Sequence, residues 1–260
     1  VQESIIHLAP LPQPRPERTL ILGWNWRVPI VIENLDQYVL TGSEVTVMTD
    51  QRGVKDPLLA LRERLKNQKL RLLRGDITDR QTLEKLDLSK FHHVVVMSYS
   101  DTRTQQQADA SSMIALLHLR DIADKHGHTF TLTSEMLDDR NRKLAMVTRA
   151  DDFVVSERLV SMMMAQVAEN QAVNLVFEDL LNPEGSEIYL RPVQSYVRLG
   201  HNLTFATLVE AARRRGEVAI GYRLAASIRD PEKYFGVVLN PTKSTEVVFG
   251  EEDRVIVLGQ

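Results

Sequence analysis

The chain has no cysteine, a net charge close to zero and no long apolar run. Without cysteine it cannot form a disulfide, a thiolate metal site or a cysteine nucleophile. A formal net charge of −3 over 260 residues gives no electrostatic reason to expect nucleic acid or an anionic membrane as a broad partner. No stretch approaches the roughly 18 consecutive apolar residues of a membrane-spanning helix. What remains, 43% hydrophobic and 26% charged residues, is the composition of an ordinary globular protein.

The N-terminus, "VQESIIHLAPLPQPRPERT", has four prolines between Pro10 and Pro16. It lacks the basic region and hydrophobic core of a signal peptide. Proline-rich segments form extended, semi-rigid spacers. We therefore expect residues 1–17 to be a linker, left either by processing or by excision from a longer chain.

Short β-rich runs alternate with helical patterns through the next 140 or so residues. The strand candidates are "TLILG", "EVTVMTD", "LRLLRGD", "HHVVVMS", "TFTLTS" and "DFVVS". The helix candidates are Val28–Leu40, Pro57–Gln68, Arg80–Leu86, Gln105–Lys125 and Asp138–Val147. Nearly continuous apolar strands between helices are typical of parallel strands covered on both faces. The pattern predicts an α/β fold with a Rossmann-type, doubly wound parallel sheet over residues 18–156.

After the sixth strand the pattern changes. Residues 157–185 predict helices ("ERLVSMMMAQVAEN" and "VNLVFEDLL") that end at "NPEG". Residues 186–260 predict a small α+β lobe, with short strands around one helix, Thr204–Arg215. Met162–Met164 lie inside the first helix and are expected to pack in a core or at an interface between copies, with Met163 as the residue to test.

The turn after the first strand, "ILGWNWRV", is half of a dinucleotide fingerprint. That fingerprint, G-x-G-x-x-G, needs glycine for a tight turn, for backbone approach to pyrophosphate and for close helix packing. Gly23 keeps the turn, but Asn25 and Val28 replace the other two glycines. Asp50 ends the second strand, where an acidic residue would hold a ribose. Gly23, Asn25 and Asp50 therefore mark a degenerate cofactor position, and NAD binding is not expected.

Carboxylates follow several strands of the predicted sheet. Asp76, Asp101 and Glu135 come after strands three, four and five, whose carboxyl ends converge on one crevice. Oxygen ligands of this kind suit a hard cation such as Ca²⁺. The alternative is that these residues are helix caps and turn residues. A site between copies, using carboxylates between Glu157 and Glu187, is the other alternative.

No catalytic motif is present. The chain contains no G-x-S-x-G elbow, no H-E-x-x-H helix and no phosphate-binding P-loop. We therefore predict no catalytic residue.

Several stretches together resemble one family. "ERTLILGWNWRVPIVIENLDQY", "SEMLDDRNRKL", "DDFVVSERLVSMMMAQVAEN", "NPEGSEIYLRPVQSY" and "FATLVEAARRRGEVAIGY" resemble the regulator-of-K⁺-conductance domain (RCK domain) of CASTOR/POLLUX-type ion channels. The resemblance covers nearly all of the chain from about Arg18 and is greatest to the second such domain of the subunit. In that family a G-W motif replaces the usual glycine loop.

This resemblance implies a non-catalytic gating module at the cytoplasmic face of a membrane. Copies would assemble into a ring beneath their own transmembrane pore, and ligand binding, with Ca²⁺ as the candidate, would be coupled to gating. The alternatives are a soluble NAD(P)- or nucleotide-binding regulator or oxidoreductase with a degenerate glycine loop, and a structural interaction domain with no ligand.

Overall fold

The computed structural model describes residues 1–141, 152–182, 185–228 and 230–259, with the backbone alone at 152–157 and 231. The chain divides into two compact units. One, here called the Rossmann unit, is Pro14–Gln171. The other, the C-terminal unit, combines Val1–Gln13 with Ala172–Gln260.

The Rossmann unit is built on a six-stranded sheet in the order β3-β2-β1-β4-β5-β6, with every neighbouring pair parallel. The strands are β1 (Arg18–Leu22), β2 (Ser43–Thr49), β3 (Gln68–Arg74), β4 (His93–Val96), β5 (Thr131–Met136) and β6 (Asp152–Val155). The predicted doubly wound sheet is thus confirmed. The strand order reverses between β1 and β4, and ligands of open α/β sheets bind at this switch point.

Burial follows each strand's place in the sheet. In the central strand β1, Leu20, Ile21 and Leu22 are fully buried, because helices cover both faces. In the edge strand β3, buried Gln68 and Leu70 alternate with exposed side chains. The apolar core of the unit therefore lies around the central strands.

The helices of this unit are α1 (Val28–Tyr38), α2 (Lys55–Arg62), α3 (Arg80–Glu84), α4 (Gln105–His126) and α5 (Ser156–Glu169). The prediction for α2 was wrong in its bounds, since the helix begins before Pro57 and ends well before Gln68. Proline is tolerated in a first turn. Gln68 instead begins β3, and the Asp36 carboxylate accepts its backbone N–H at 2.9 Å.

The C-terminal unit has two antiparallel sheets. The larger has the order β10-β9-β12-β7 and the smaller pairs β11 with β8. Its elements are α6 (Val173–Leu181), β7 (Glu187–Pro192), β8 (Asn202–Thr204), α7 (Phe205–Arg213), β9 (Val218–Arg223), β10 (Val237–Leu239), β11 (Glu246–Val248) and β12 (Arg254–Gly259). Residues of α7, β9 and β12 share one apolar core. The α+β lobe predicted here is confirmed. Strands β8 and β11 are too short to show an alternation of apolar and polar residues in the sequence.

The N-terminal segment is not the free linker expected from its prolines. Val1–Gln13, here called the arm, belongs to the C-terminal unit. Ile6 forms an antiparallel bridge with Val197, and Ile5, Ile6 and Leu11 pack against the core of that unit. The correction has a physical cause, because only the stretch from Pro10 onward has the proline content of a spacer.

Three predictions involve residues or side chains that the structure does not describe. Most of the predicted helix Asp138–Val147 lies there, as do the side chain of Glu157 and the stretch "PE" within "NPEG". Among the described residues, no helix is long and apolar enough to cross a bilayer.

Candidate functional site

The switch point of the Rossmann sheet begins at Gly23, directly after β1. Gly23 has φ +96°, and a Cβ built there would lie 2.1 Å from the backbone oxygen of Met97, which follows β4. Its own N–H donates to Met48 O at 2.9 Å. Glycine is required here because two strand ends approach closely and φ is positive.

Asn25 fills the position of the second fingerprint glycine. The residue is fully buried. Its Nδ2 donates to Ser98 O at 2.8 Å and to Glu135 Oε2 at 2.7 Å, while its Oδ1 accepts the Arg27 N–H at 2.9 Å. One amide therefore connects the turn after β1 to the ends of β4 and β5, in the space where a glycine would leave room for pyrophosphate.

Glu135, at the end of β5, receives most of these contacts. The side chain is 5% exposed. Its Oε1 accepts from Arg27 Nη1 at 2.8 Å, and its Oε2 accepts the Ser98 N–H at 3.1 Å as well as the Asn25 amide. A buried carboxylate is costly unless it is paired and hydrogen-bonded, and here both conditions are met within the chain.

A second carboxylate, Asp101, accepts a backbone N–H just before the start of α1. Asp101 Oδ2 accepts the Trp26 N–H at 2.7 Å, and Ser100 Oγ donates to Asp101 Oδ1 at 3.2 Å. Backbone N–H groups at such a turn are the ones that bind phosphate in nucleotide-binding domains. In this chain an aspartate of the same chain holds one of them.

The two tryptophans of the G-W stretch differ in role. Trp24 is buried in the core of the Rossmann unit, whereas Trp26 is 59% exposed. The Arg27 guanidinium lies 4.7 Å from the centroid of the Trp26 ring. Arg27 thus contacts an exposed ring and a buried carboxylate.

Asp50 lies where a ribose-binding acid was expected, and it faces a cation. Its Oδ2 is 3.7 Å from Arg103 Nη2, and the Arg103 guanidinium is 4.3 Å from the centroid of the Tyr99 ring. The Tyr99 hydroxyl is 3.2 Å from Thr49 Oγ1. Burial is the main cause that raises the pKa of Tyr99 to about 12, and the Asp50 carboxylate adds to it.

The three predicted cation ligands have separate partners. Asp76 Oδ1 accepts from the Thr78 N–H at 2.8 Å and from Thr78 Oγ1 at 2.7 Å, which is a turn contact. Asp101 and Glu135 are engaged as described above. Within the described ranges, no three His, Cys, Asp or Glu side chains are grouped so that they could hold a metal ion. A cation site at the strand ends stays a prediction.

Two residues that matter here could not be found from any pattern in the sequence. Arg27 and Arg103 neutralise the carboxylates at the ends of β5 and β2. Asp109 in α4 makes a further contact between distant parts of the chain. It is fully buried and accepts the N–H groups of Leu137 at 2.8 Å and Asp138 at 3.0 Å. Each pair is separated by more than 25 residues, so spacing cannot reveal it.

Helices α5 and α6 carry exposed apolar side chains. These are Leu159, Val160, Met162 and Met164 in α5, and Leu175, Val176 and Leu181 in α6. Met163, the residue chosen from the sequence, is less exposed than its two neighbours. Exposed apolar patches of this kind mark interaction surfaces.

The chain was compared with known proteins. No family model matches it. It is 30% identical to the ion channel CASTOR of Lotus japonicus over 88% of this chain and 30% of that protein. It is 31% identical to the probable ion channel CASTOR of Oryza sativa subsp. japonica over 84% of this chain and 29% of that protein. The probable ion channel POLLUX of the same rice is 28% identical over 99% of this chain and 29% of that protein.

Among solved structures, the human SLO3 gating ring matches 94% of this chain and 44% of that chain, with a TM-score of 0.58 and 12% identity. At that identity the likeness concerns the fold alone. The present chain spans about 30% of the length of its CASTOR relatives. The sequence resemblance noted above is confirmed, and this chain is a relative of the CASTOR and POLLUX ion channels.

Proposed function

We propose that this chain is a cytosolic, non-catalytic regulatory domain of a CASTOR/POLLUX-like cation channel. Its copies would assemble with one another beneath the pore of the full-length protein, and ligand binding to the assembly would be coupled to gating. The proposal rests on the turn after β1, in a chain related to ion channels. At this turn the Asn25–Glu135 and Trp26–Asp101 hydrogen bonds use the groups that a dinucleotide would need as its own partners.

The same geometry argues against the NAD-linked alternative. A cofactor would have to displace the Asn25 amide from the buried Glu135 carboxylate and the Asp101 carboxylate from the Trp26 N–H. Leaving the buried Asn25 and Glu135 groups without partners costs about 1–3 kcal/mol for each. A nucleotide would pay this cost before making any contact of its own.

Ca²⁺ is the cation that we propose to test as the ligand. Ca²⁺ takes 6–8 oxygen ligands, and the described residues of one chain do not group enough carboxylates for this. The site we propose therefore draws on an assembly, in which exposed carboxylates such as Asp76 and Asp101 would be joined by those of a second copy.

The test is thermal unfolding of the purified chain with Ca²⁺, Mg²⁺, NADH, NADPH, ADP and ATP. A ligand at 100 times its Kd stabilises the native state by about 2.7 kcal/mol. We expect a response to Ca²⁺ that Asp76→Asn or Asp101→Asn weakens, and no response to NADH. A low-micromolar Kd for NADH would overturn the proposal. If none of the ligands changes the unfolding temperature, the ligand-sensing part of the proposal is wrong and only the role in assembly is kept.

A further inference from the structure

Two arginines of the larger C-terminal sheet lie directly opposite each other. Arg223 in β9 and Arg254 in β12 are register partners in an antiparallel ladder, so their side chains leave the sheet on the same face. Like charges directly opposite each other destabilise a sheet. This arginine pair therefore needs a counter-charge, either from the chain or from a bound group.

The described part of the chain supplies no carboxylate to the arginine pair. The ion pairs described for this unit all involve other residues. Arg223 Nε donates to Phe235 O at 3.3 Å. Arg254 Nη1 donates to the backbone oxygens of Glu251 at 3.4 Å and Asp253 at 3.1 Å. Backbone oxygens satisfy some of the N–H donors, but they do not neutralise the two charges.

A cavity of about 450 Å³ begins beside this pair, at the edge strand β10. Val237 lines it and is the register partner of Arg223. The volume lies within the range of about 300–1,000 Å³ that is typical of small-molecule sites, whose walls are mostly apolar with a few polar groups. The wall here has the same character, with apolar Leu224, Gly236, Val237, Val238 and Leu239 and polar Ser227, Lys233 and Tyr234. We call it the β10 cavity.

The turn before β10 has an unusual backbone. Tyr234 and Phe235 have positive φ angles of 49° and 55°, although a side chain at such a φ is unfavourable outside Gly, Asn and Asp. Tyr234 itself lines the β10 cavity. Ligand clamps are among the places where strained backbone is found. The turn is thus an independent observation that points to the same place as the arginine pair.

We propose that the β10 cavity binds a small amphiphilic anion, with its aliphatic chain on the apolar wall and its carboxylate on the arginine pair. A guanidinium suits this role because it binds a carboxylate through two parallel hydrogen bonds. Lys233 is already neutralised, since its Nζ lies 3.5 Å from Asp230 Oδ2. The ligand is a soluble single-chain carboxylate, because a cavity of this size holds one drug-sized molecule. This site does not depend on the regulatory role proposed above.

The test is isothermal titration calorimetry of the full chain with octanoate, octan-1-ol and octylamine. The three probes share one aliphatic chain and differ in the charge of the head group. We expect octanoate to bind about tenfold more tightly than octan-1-ol, since a hydrogen bond to a charged group contributes at least this much, and octylamine to bind most weakly. Equal affinities for octanoate and octylamine would overturn the proposal, as would the absence of binding by all three at millimolar concentration.

Two variants with matched controls locate the site. Arg254→Gln should weaken octanoate binding about tenfold and leave octan-1-ol unchanged, whereas Arg198→Gln, at an exposed arginine of the same unit, should change neither. Leu239→Glu places a charge in the apolar wall and should weaken both probes. Its control is Val248→Glu, because Val248 is 55% exposed against 60% for Leu239 and does not line the cavity.

The proposal is overturned if Arg254→Gln and Arg198→Gln have equal effects on octanoate, or if Leu239→Glu and Val248→Glu do. A further measurement separates a soluble ligand from a membrane lipid with the same kind of head group. Binding of the chain to phosphatidylglycerol vesicles without binding of octanoate would also overturn the proposal, because the arginine pair would then contact a bilayer surface.

Discussion

Asn25 Nδ2 lies 2.7 Å from Glu135 Oε2, and this contact joins the turn after β1 to the end of β5. The two residues are 110 positions apart, and both are buried. Together with Arg27 they place a neutralised polar group where a dinucleotide-binding domain keeps open space for phosphate. The second glycine of the fingerprint is therefore replaced by a residue whose side chain fills the space that a bound phosphate would fill in a dinucleotide-binding domain.

The first prediction concerns Gly23. Gly23→Ala adds a Cβ at 2.1 Å from Met97 O and forces a left-handed backbone on alanine. The sum of strain and overpacking should lower the free energy of unfolding by about 2–5 kcal/mol, measured by urea denaturation. Gly53→Ala is the matched control, with φ +80° but nothing within 4 Å, and should cost about 1–2 kcal/mol. Equal losses in the two variants would contradict a close approach of β1 and β4.

The second prediction concerns the buried carboxylate. Glu135→Leu removes the carboxylate that accepts from Arg27 and from the Ser98 N–H, and one of the two acceptors of the Asn25 amide. It should cost about 3–5 kcal/mol. Glu135→Gln keeps an oxygen for hydrogen bonding and should cost less. The control is Glu44→Gln, which removes exposed ion pairs to Arg18 and Arg71 and should change stability by no more than about 0.5 kcal/mol. If Glu135→Leu is as mild as the control, the network is not a structural element.

The sequence was sufficient for the fold but not for the contents of the crevice. The parallel strands can be predicted from the sequence because burial on both faces requires continuous apolar runs such as "TLIL" and "VVV". The Asn25–Glu135 and Asp50–Arg103 contacts do not, because they join residues far apart in sequence. A carboxylate after a strand has the same appearance whether it binds a cation, caps a turn as Asp76 does, or pairs with an arginine as Glu135 does.

The third prediction is a loss of stability at alkaline pH. The pKa of Tyr99 is raised to about 12, chiefly by burial, from about 10 in an unfolded chain. The folded state therefore keeps the proton longer, so the contribution is complete below pH 10 and is lost as the pH rises from about 10 to 12. Tyr99→Phe should remove this part of the pH dependence, on the order of 2–3 kcal/mol, in denaturation measured across that range.

Tyr234→Phe provides the comparison for Tyr99, since it removes a phenol that is 78% exposed. In the tyrosinate absorbance titration of the folded chain, Tyr99→Phe should remove a component near pH 12. The pKa of Tyr196 is raised as well, by burial and by Glu217, so the difference between each variant and the wild type is the quantity to compare. Loss of the same alkaline component in both variants would show that Tyr99 is not its source.

The last prediction concerns self-association through α5. Met164 is 67% exposed and Met162 is 56% exposed, while Met163 between them is only partly exposed. If α5 contacts a second copy, Met164→Glu places a charge in an apolar interface and should weaken association at least tenfold, measured by light scattering over a concentration series. Met164→Leu keeps the apolar surface and should associate like the wild type. Met163→Glu instead would act first on folding, because part of that side chain is already covered. A chain that remains monomeric at high concentration would contradict self-association. A Met164→Glu variant that associates like the wild type would place the contact between copies elsewhere than on α5.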